Sequence, residues 1–279
     1  MDIALKNVEK SFTGRDGKHT ALANVTLEIP SGAFVCLLGP SGCGKTTVLN
    51  LVAGFETPDQ GEVLVDGHRV DGPGPDRVVM FQDPALFPWL SVGENVAFPL
   101  QKRKLSPAER GERVDEALRV VHLYKFKHAQ PHELSGGMRA RAAIARALVM
   151  EPRIMLMDEP FAALDAQTRE LLQVEIERVW QRTKATVVFV THDNREAVRL
   201  ATRVVVMGTR PGCVKLEVDV DQDLPRPRDP LDRNVNLLVT RVQRTLQAEI
   251  EKIAREESDE RQAPPSRRGR GEPDLGRDI

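Results

Sequence analysis

The sequence reads as an α/β protein, a parallel sheet covered by helices, with an N-terminal antiparallel β flap and an inserted α-helical lobe. Three observations predict this class. Apolar strand-like runs alternate with helical patterns through most of the 279 residues, the arrangement that produces a parallel sheet with helices on its faces. Residues Ile3 to Ile29 differ: short alternating strands flank Gly14-Arg15-Asp16-Gly17, which reads as a hairpin flap on the edge of the core sheet. From about Asp83 to Met150 helical patterns replace strands, which predicts a lobe inserted between two strands of the sheet.

The core opens at Phe34-Val35-Cys36-Leu37-Leu38, an unbroken apolar run of the kind buried on both faces of a parallel sheet. Thr47 to Ala53 follows as a helix. Between them lies Gly39-Pro40-Ser41-Gly42-Cys43-Gly44-Lys45-Thr46, whose spacing is that of a loop wrapping nucleotide phosphates, so the core reads as a P-loop NTPase core. Gly39 and Gly44 permit backbone angles that turn successive N–H groups inward on phosphate oxygens. Lys45 brings a point charge to the β- and γ-phosphates, and Thr46 a hydroxyl for Mg²⁺. The helix behind them, from Thr47, directs its N-terminus at the anion. These residues predict binding of ATP or GTP.

Val78-Val79-Met80-Phe81 is the next strand-like run, ended by Gln82. In the lobe, Ser106-Pro107 caps a helix whose Val114, Leu118 and Val121 recur at helical spacing. Ser135-Gly136-Gly137 opens another near Met138, so a serine hydroxyl and backbone N–H groups form a second anion site at a helix N-terminus. The sheet resumes with Ile154 to Met157, Thr186 to Val190 and Val204 to Met207, each run ending in the polar or turn residues where α/β ligands bind. After Leu224-Pro225-Arg226-Pro227-Arg228 the character changes. Val235, Leu238, Val239, Val242, Leu246, Ile250 and Ile253 keep helical spacing, which predicts one amphipathic helix from Asp232 to about Arg255, and Glu256 to Ile279 is charged, proline-bearing and expected to be disordered.

Bulk properties narrow the function. A formal charge of −1 and a pI near 6.6 leave no electrostatic footprint for nucleic acid. Cys36, Cys43 and Cys213 have no metal-site or disulfide spacing, which fits a reducing cytoplasm. No apolar run approaches the ~20 residues that span a bilayer, so work at a membrane requires another chain as anchor.

Beyond the phosphate loop come Gln82, then Leu134-Ser135-Gly136-Gly137-Met138, Asp158-Glu159-Pro160, Ala163-Leu164-Asp165 and Thr191-His192-Asp193, in that order. Over roughly residues 1 to 220 this series resembles the ATPase subunit of ATP-binding cassette (ABC) transporters. Phe81-Gln82-Asp83, Leu86-Phe87-Pro88-Trp89-Leu90, Glu159-Pro160-Phe161 and Arg210-Pro211-Gly212 most resemble importers of nitrate, sulfonates, taurine and related small solutes. Met138, Ala140 and Ala162 depart from common family forms without removing a catalytic group.

The resemblance implies roles. Asp158, at the end of a buried strand, holds the Mg²⁺ that Thr46 also touches. Glu159 is the general base for the attacking water, and His192 contacts the γ-phosphate. Gln82 reaches Mg²⁺ or the water and reports nucleotide state to the helical lobe. Phe12 stacks on adenine, with edge-strand packing as its alternative. In a head-to-tail homodimer, Ser135, Gly136 and Gly137 of one subunit cap the γ-phosphate held by Lys45 of the other, and Asp165 lies in the loop crossing the interface. Phe87, Pro88 and Trp89 sit where the family meets its integral membrane permease subunits, with core packing the alternative.

The implied protein is an importer ATPase, residues 1–229 with the appended helix 230–255 and tail 256–279, peripheral on the cytoplasmic face of the cell membrane. It uses ATP and Mg²⁺ and serves a permease and, indirectly, a solute-binding protein. The rivals are a soluble cassette ATPase remodelling nucleic acid or ribosomes, which predicts a basic surface or second cassette, and a phosphoryl-transfer enzyme, which leaves Leu134 to Met138 unexplained.

Overall fold

The structure, a computed structural model, describes residues 1–14, 17–209, 211–229 and 231–262, with the side chains of 256–262 excepted. Strands β1 (Ile3–Gly14) and β2 (Gly17–Ile29) precede β3 (Phe34–Leu38) and helix α1 (Lys45–Ala53). Next come β4 (Gln60–Val65), β5 (His68–Arg69) and β6 (Arg77–Met80). The helical lobe carries α2 (Val92–Ala97), α3 (Pro107–Val120) and α4 (Gly136–Leu148). The chain returns through β7 (Ile154–Asp158), α5 (Ala166–Thr183), β8 (Thr186–Val190), α6 (Asn194–Leu200), β9 (Arg203–Gly208) and β10 (Cys213–Asp219) to α7 (Val220–Asp223) and α8 (Arg233–Gln262).

Among the described residues the strands form two sheets, a six-stranded one in the order β10-β9-β3-β8-β7-β6 and a four-stranded one in the order β2-β1-β4-β5. The larger is parallel except for β10. Its side-chain alternation divides the core in two. Val35, Leu37, Leu156, Val188, Val190 and Val205 face α1 and the smaller sheet. Phe34, Cys36, Met155, Met157, Phe189 and Val204 face the lobe, α5, α6 and α8. Strands of this kind, buried on both faces, are why the sheet was readable as continuous apolar runs.

The flap is not an edge of the core sheet, as the sequence suggested. β4 pairs with β1, completing a separate sheet whose apolar face (Ile3, Leu5, Leu27, Ile29, Val63) packs over α1. It touches the larger sheet through Gly212, whose carbonyl accepts from Ala23 N–H at 3.0 Å and whose N–H donates to the Ala21 carbonyl at 3.1 Å. β4 and β5 were missed because both are short, β4 being half exposed and both residues of β5 exposed. Arg15 and Asp16 of the expected turn, and Arg210, lie outside the described residues.

Helix boundaries follow local chemistry. Ser106 caps α3 in a reciprocal box with Glu109, and Val114, Leu118 and Val121 are buried. In α8, Val235, Leu238, Val239 and Val242 are buried in the larger core, so this part of the helix covers its own domain. The helix runs to Gln262, past the expected end near Arg255; residues 263–279 of the expected tail lie outside the described residues.

Candidate nucleotide site

The ends of four neighbouring parallel strands build the site. β3 leads into the glycine loop, β8 into Thr191-His192, β7 into Asp158-Glu159, and β6 ends two residues before Gln82 at Met80 rather than running on to Phe81. Parallel neighbours lie about 4.8 Å apart, so these ends converge within one ligand's length. An open cleft of about 850 Å³ results, lined by Phe12, Ser41, Gly42, Gly44, Lys45, Thr46, Thr47, Gln82, Asp158 and Glu159, all predicted site residues.

Close packing shapes the loop. A Cβ on Gly39 would stand 2.5 Å from Cys43 Sγ and 2.7 Å from the Met207 carbonyl oxygen, so no larger residue fits. Gly44 has φ +88° and caps α1, and a Cβ there would lie 2.4 Å from Leu22 Cδ2. Gly44→Ala is therefore expected to destabilise the fold by about 2–4 kcal/mol and to abolish nucleotide binding, checked by thermal melting and titration with a fluorescent ATP analogue. α1 starts at Lys45, two residues earlier than expected, so the N–H groups of Thr46 and Thr47 belong to its first turn. The Lys45 ammonium lies inside the loop, donating to the Gly39 carbonyl at 2.7 Å and the Pro40 carbonyl at 3.0 Å. Cys43 is buried with its thiol in the core beneath the loop, where burial raises its pKa; only its backbone is available to a phosphate.

Thr46 Oγ1 donates to Asp158 Oδ2 at 2.8 Å, joining the start of α1 to the end of β7. Burial raises the Asp158 pKa, opposed by this hydrogen bond, while Glu159 raises it and Lys45 lowers it. Glu159 adopts φ +46°, a left-handed conformation that costs a side-chain-bearing residue about 1 kcal/mol. Its N–H donates to the Val190 carbonyl at 3.0 Å, and its Oε2 lies 3.3 Å from His192 Nδ1. His192 is 70% exposed and reaches the site through this contact rather than by lining the cleft.

Phe12 stands at the rim, 39% exposed, with the Lys10 ammonium 5.1 Å from its ring centre. Beside it in the lining are His19 and Ala21, which sequence reasoning missed. The signal was present: a hairpin closing Gly14 on Gly17 places His19 opposite Phe12. Ser135, Gly136, Gly137 and Asp165 do not line this cleft. Ser135 caps α4 by accepting from Met138 N–H at 3.2 Å, and Gly136 has open space around it. Asp165 caps α5 by accepting from Thr168 N–H at 2.9 Å, the bond that chiefly lowers its pKa.

Residues 22–162 match the family model described as ABC transporter. The chain is 44% identical over 232 residues to the nitrate import ATP-binding protein of Synechocystis, covering 82% of this chain and 87% of that one. The chain belongs to the ABC transporter family. As an ABC ATPase it binds and hydrolyses ATP. It is also 45% identical over 233 residues to the bicarbonate transport ATP-binding protein of Synechococcus elongatus, covering 82% of this chain and 35% of that longer one. Among solved structures, the dimeric post-hydrolysis state of an ATP-binding cassette bound to ADP and Pi superposes on this ABC ATPase with a TM-score of 0.71 and 35% identity. That match covers 78% of this chain and 98% of the other.

Proposed function

We propose that this ABC ATPase is the motor of an importer, closing as a head-to-tail homodimer over ATP and Mg²⁺ and reopening on hydrolysis to drive partner permease subunits. The observation that carries this reading is the separation of two anion sites on one chain. The phosphate cleft is complete with Lys45, Thr46, Asp158 and Glu159, yet the capped N-terminus of α4 lies outside its lining. A second copy, rotated, would bring Ser135, Gly136 and Gly137 to the terminal phosphate and Asp165 across the interface. The dimeric cassette among its structural relatives supports this arrangement.

Within each half-site Lys45 holds the phosphates, and Glu159 orients and deprotonates the attacking water. His192, 3.3 Å from Glu159, keeps that carboxylate and the terminal phosphate in line. The oxygen donors Thr46 and Asp158, already 2.8 Å apart, fit a hard cation, with Gln82 as a further oxygen. Bound there, Mg²⁺ would neutralise charge on the β- and γ-phosphates.

The loop after Gln82 supports a permease contact. Trp89 is 73% exposed, which removes the core-packing alternative for it. Its ring lies 5.5 Å from Phe87, which lies 4.5 Å from the half-exposed Phe98. Buried Asn95 holds this loop in shape, accepting from Phe87 N–H at 2.8 Å and donating to the Leu90 carbonyl at 2.9 Å. Arg146, in the last turn of the helix that Ser135 opens, donates to the Pro84 and Ala85 carbonyls at 2.7 and 2.9 Å, linking the loop to that helix. No helix among the described residues is long and apolar enough to cross a membrane. The proposed place, peripheral on the cytoplasmic face, rests on kinship with importer ATP-binding proteins. The names of the relatives favour a small anion such as nitrate or bicarbonate as the solute, and the sequence resemblance adds a sulfonate or taurine.

The test is affinity purification from native membranes in mild detergent. A polytopic membrane protein should co-purify and be lost with Trp89→Ala, whose melting temperature stays unchanged. Recovery of the wild-type chain with ribosomes or nucleic acid instead would overturn the transport reading.

A further inference from the structure

A buried polar chain runs from α5 to the loop that carries His192. Glu196, on α6, is 6% exposed, and its carboxylate accepts from the hydroxyl of Thr191 and from Gln173 Nε2, the latter at 2.9 Å. Gln173, on α5, is equally buried, and its carbonyl accepts from Arg199 Nη1 at 3.3 Å. The Thr191 oxygen is used a second time, accepting from the backbone N–H of Asp193 at 3.0 Å. Asp193 Oδ1 in turn accepts from the N–H groups of Arg195 and Glu196 at 2.8 and 3.2 Å. The residues on either side of His192 are thus tied to the same glutamate, one by its side chain and the other through that side chain's oxygen and the helix start.

His192 itself has little else to fix it. Its ring is mostly exposed and its charged neighbour is Glu159 Oε2. The direction in which it leaves the backbone is therefore set by residues 191 and 193, which the glutamate clamps. A buried carboxylate is tolerated only where its lone pairs are occupied, and an apolar residue at 196 would fill this space at lower cost. We propose that Glu196, braced by Gln173 and acting through Thr191, is the positioning residue that holds His192 against Glu159 and the terminal phosphate. The role rests on the catalytic reading of His192 above. Glu196 does not line the phosphate cleft, so its loss should lower turnover without weakening ATP binding. Displacements of about 1 Å in a catalytic group cost on the order of 10²-fold in rate.

The test measures steady-state hydrolysis of MgATP, binding of a fluorescent ATP analogue and thermal melting in Thr191→Val, Thr191→Ser, Glu196→Ala and His192→Ala. Thr191→Val changes one oxygen at nearly constant shape, so it carries the test even if Glu196→Ala fails to fold. The expected result is a kcat loss of about 10–100-fold in Thr191→Val, with KM and nucleotide affinity retained and a melting temperature lowered by the unpaired Glu196 oxygen but still above the assay temperature. Thr191→Ser should restore turnover, and Thr191→Val should add nothing in a His192→Ala background, because both changes act on one group. Wild-type kcat in Thr191→Val beside a crippled His192→Ala would overturn the positioning role alone. So would losses that multiply in the double variant. Unchanged turnover in His192→Ala would overturn the catalytic reading of that histidine, and this proposal with it.

Discussion

Glu159→Gln is expected to lower steady-state ATP hydrolysis by about 10²–10⁴-fold while ATP binding persists and the ATP-bound dimer accumulates. Glutamine keeps the size of the side chain, and it keeps the main-chain bonds that hold this residue, the donation to the Val190 carbonyl and the acceptance from Ala162 N–H at 3.1 Å. What it removes is a group able to take a proton from water. The contact with His192 survives in altered form, since an amide oxygen accepts from the imidazole as the carboxylate does. Turnover and ATP-dependent dimerisation, followed by size-exclusion chromatography, separate the two consequences. Near-normal turnover would assign the base elsewhere. Lost binding would mean that Glu159 shapes the phosphate cleft rather than acting on water.

The role of Glu159 as base came from the family resemblance, but its place was accessible from the chain because the site is built from strand ends. A strand buried on both faces announces itself as an apolar run, and the residue that ends it is placed by the sheet without help from distant contacts. Asp158, Glu159 and the glycine loop were legible for this reason. His19 had no motif to mark it, only the register signal of a hairpin closing Gly14 on Gly17, and was missed. The left-handed backbone of Glu159 was not legible either, since a glutamate at φ +46° has no local sequence signal; the Val190 hydrogen bond holds it there. The flap was read correctly as antiparallel and placed wrongly, because strand alternation says which face is buried but not what covers it. The Thr191-Glu196-Gln173 chain joins the residue after β8 to α6 and α5 and becomes visible only when those elements are packed.

Lys45→Ala is the change expected to remove the most function, and the structure gives Lys45 two possible jobs to tell apart. Its ammonium donates to the carbonyls of Gly39 and Pro40 and lies 3.6 Å from Cys43 Sγ, so it braces the loop. The same ammonium lies among backbone groups suited to wrap phosphate, in the cleft with Thr46 and Asp158. If bracing dominated, alanine would lower the melting temperature of the nucleotide-free protein. If phosphate binding dominates, the melting temperature without nucleotide should hold, and the stabilisation that ATP confers should vanish. That stabilisation is about 2.7 kcal/mol at a ligand concentration a hundredfold above Kd, enough to read in a melt. Hydrolysis should fall by at least about 10²–10³-fold, the cost of deleting one preorganised donor to developing charge. Lys45→Arg should not rescue it. The closure of the loop on Cys43 Sγ, which leaves no room for a Cβ at Gly39, equally leaves no room for a planar fork in place of a point charge. Recovery of hydrolysis in the arginine variant would show that the loop opens further than its packing suggests, and that positive charge alone, rather than its position among the loop carbonyls, is what the phosphates require.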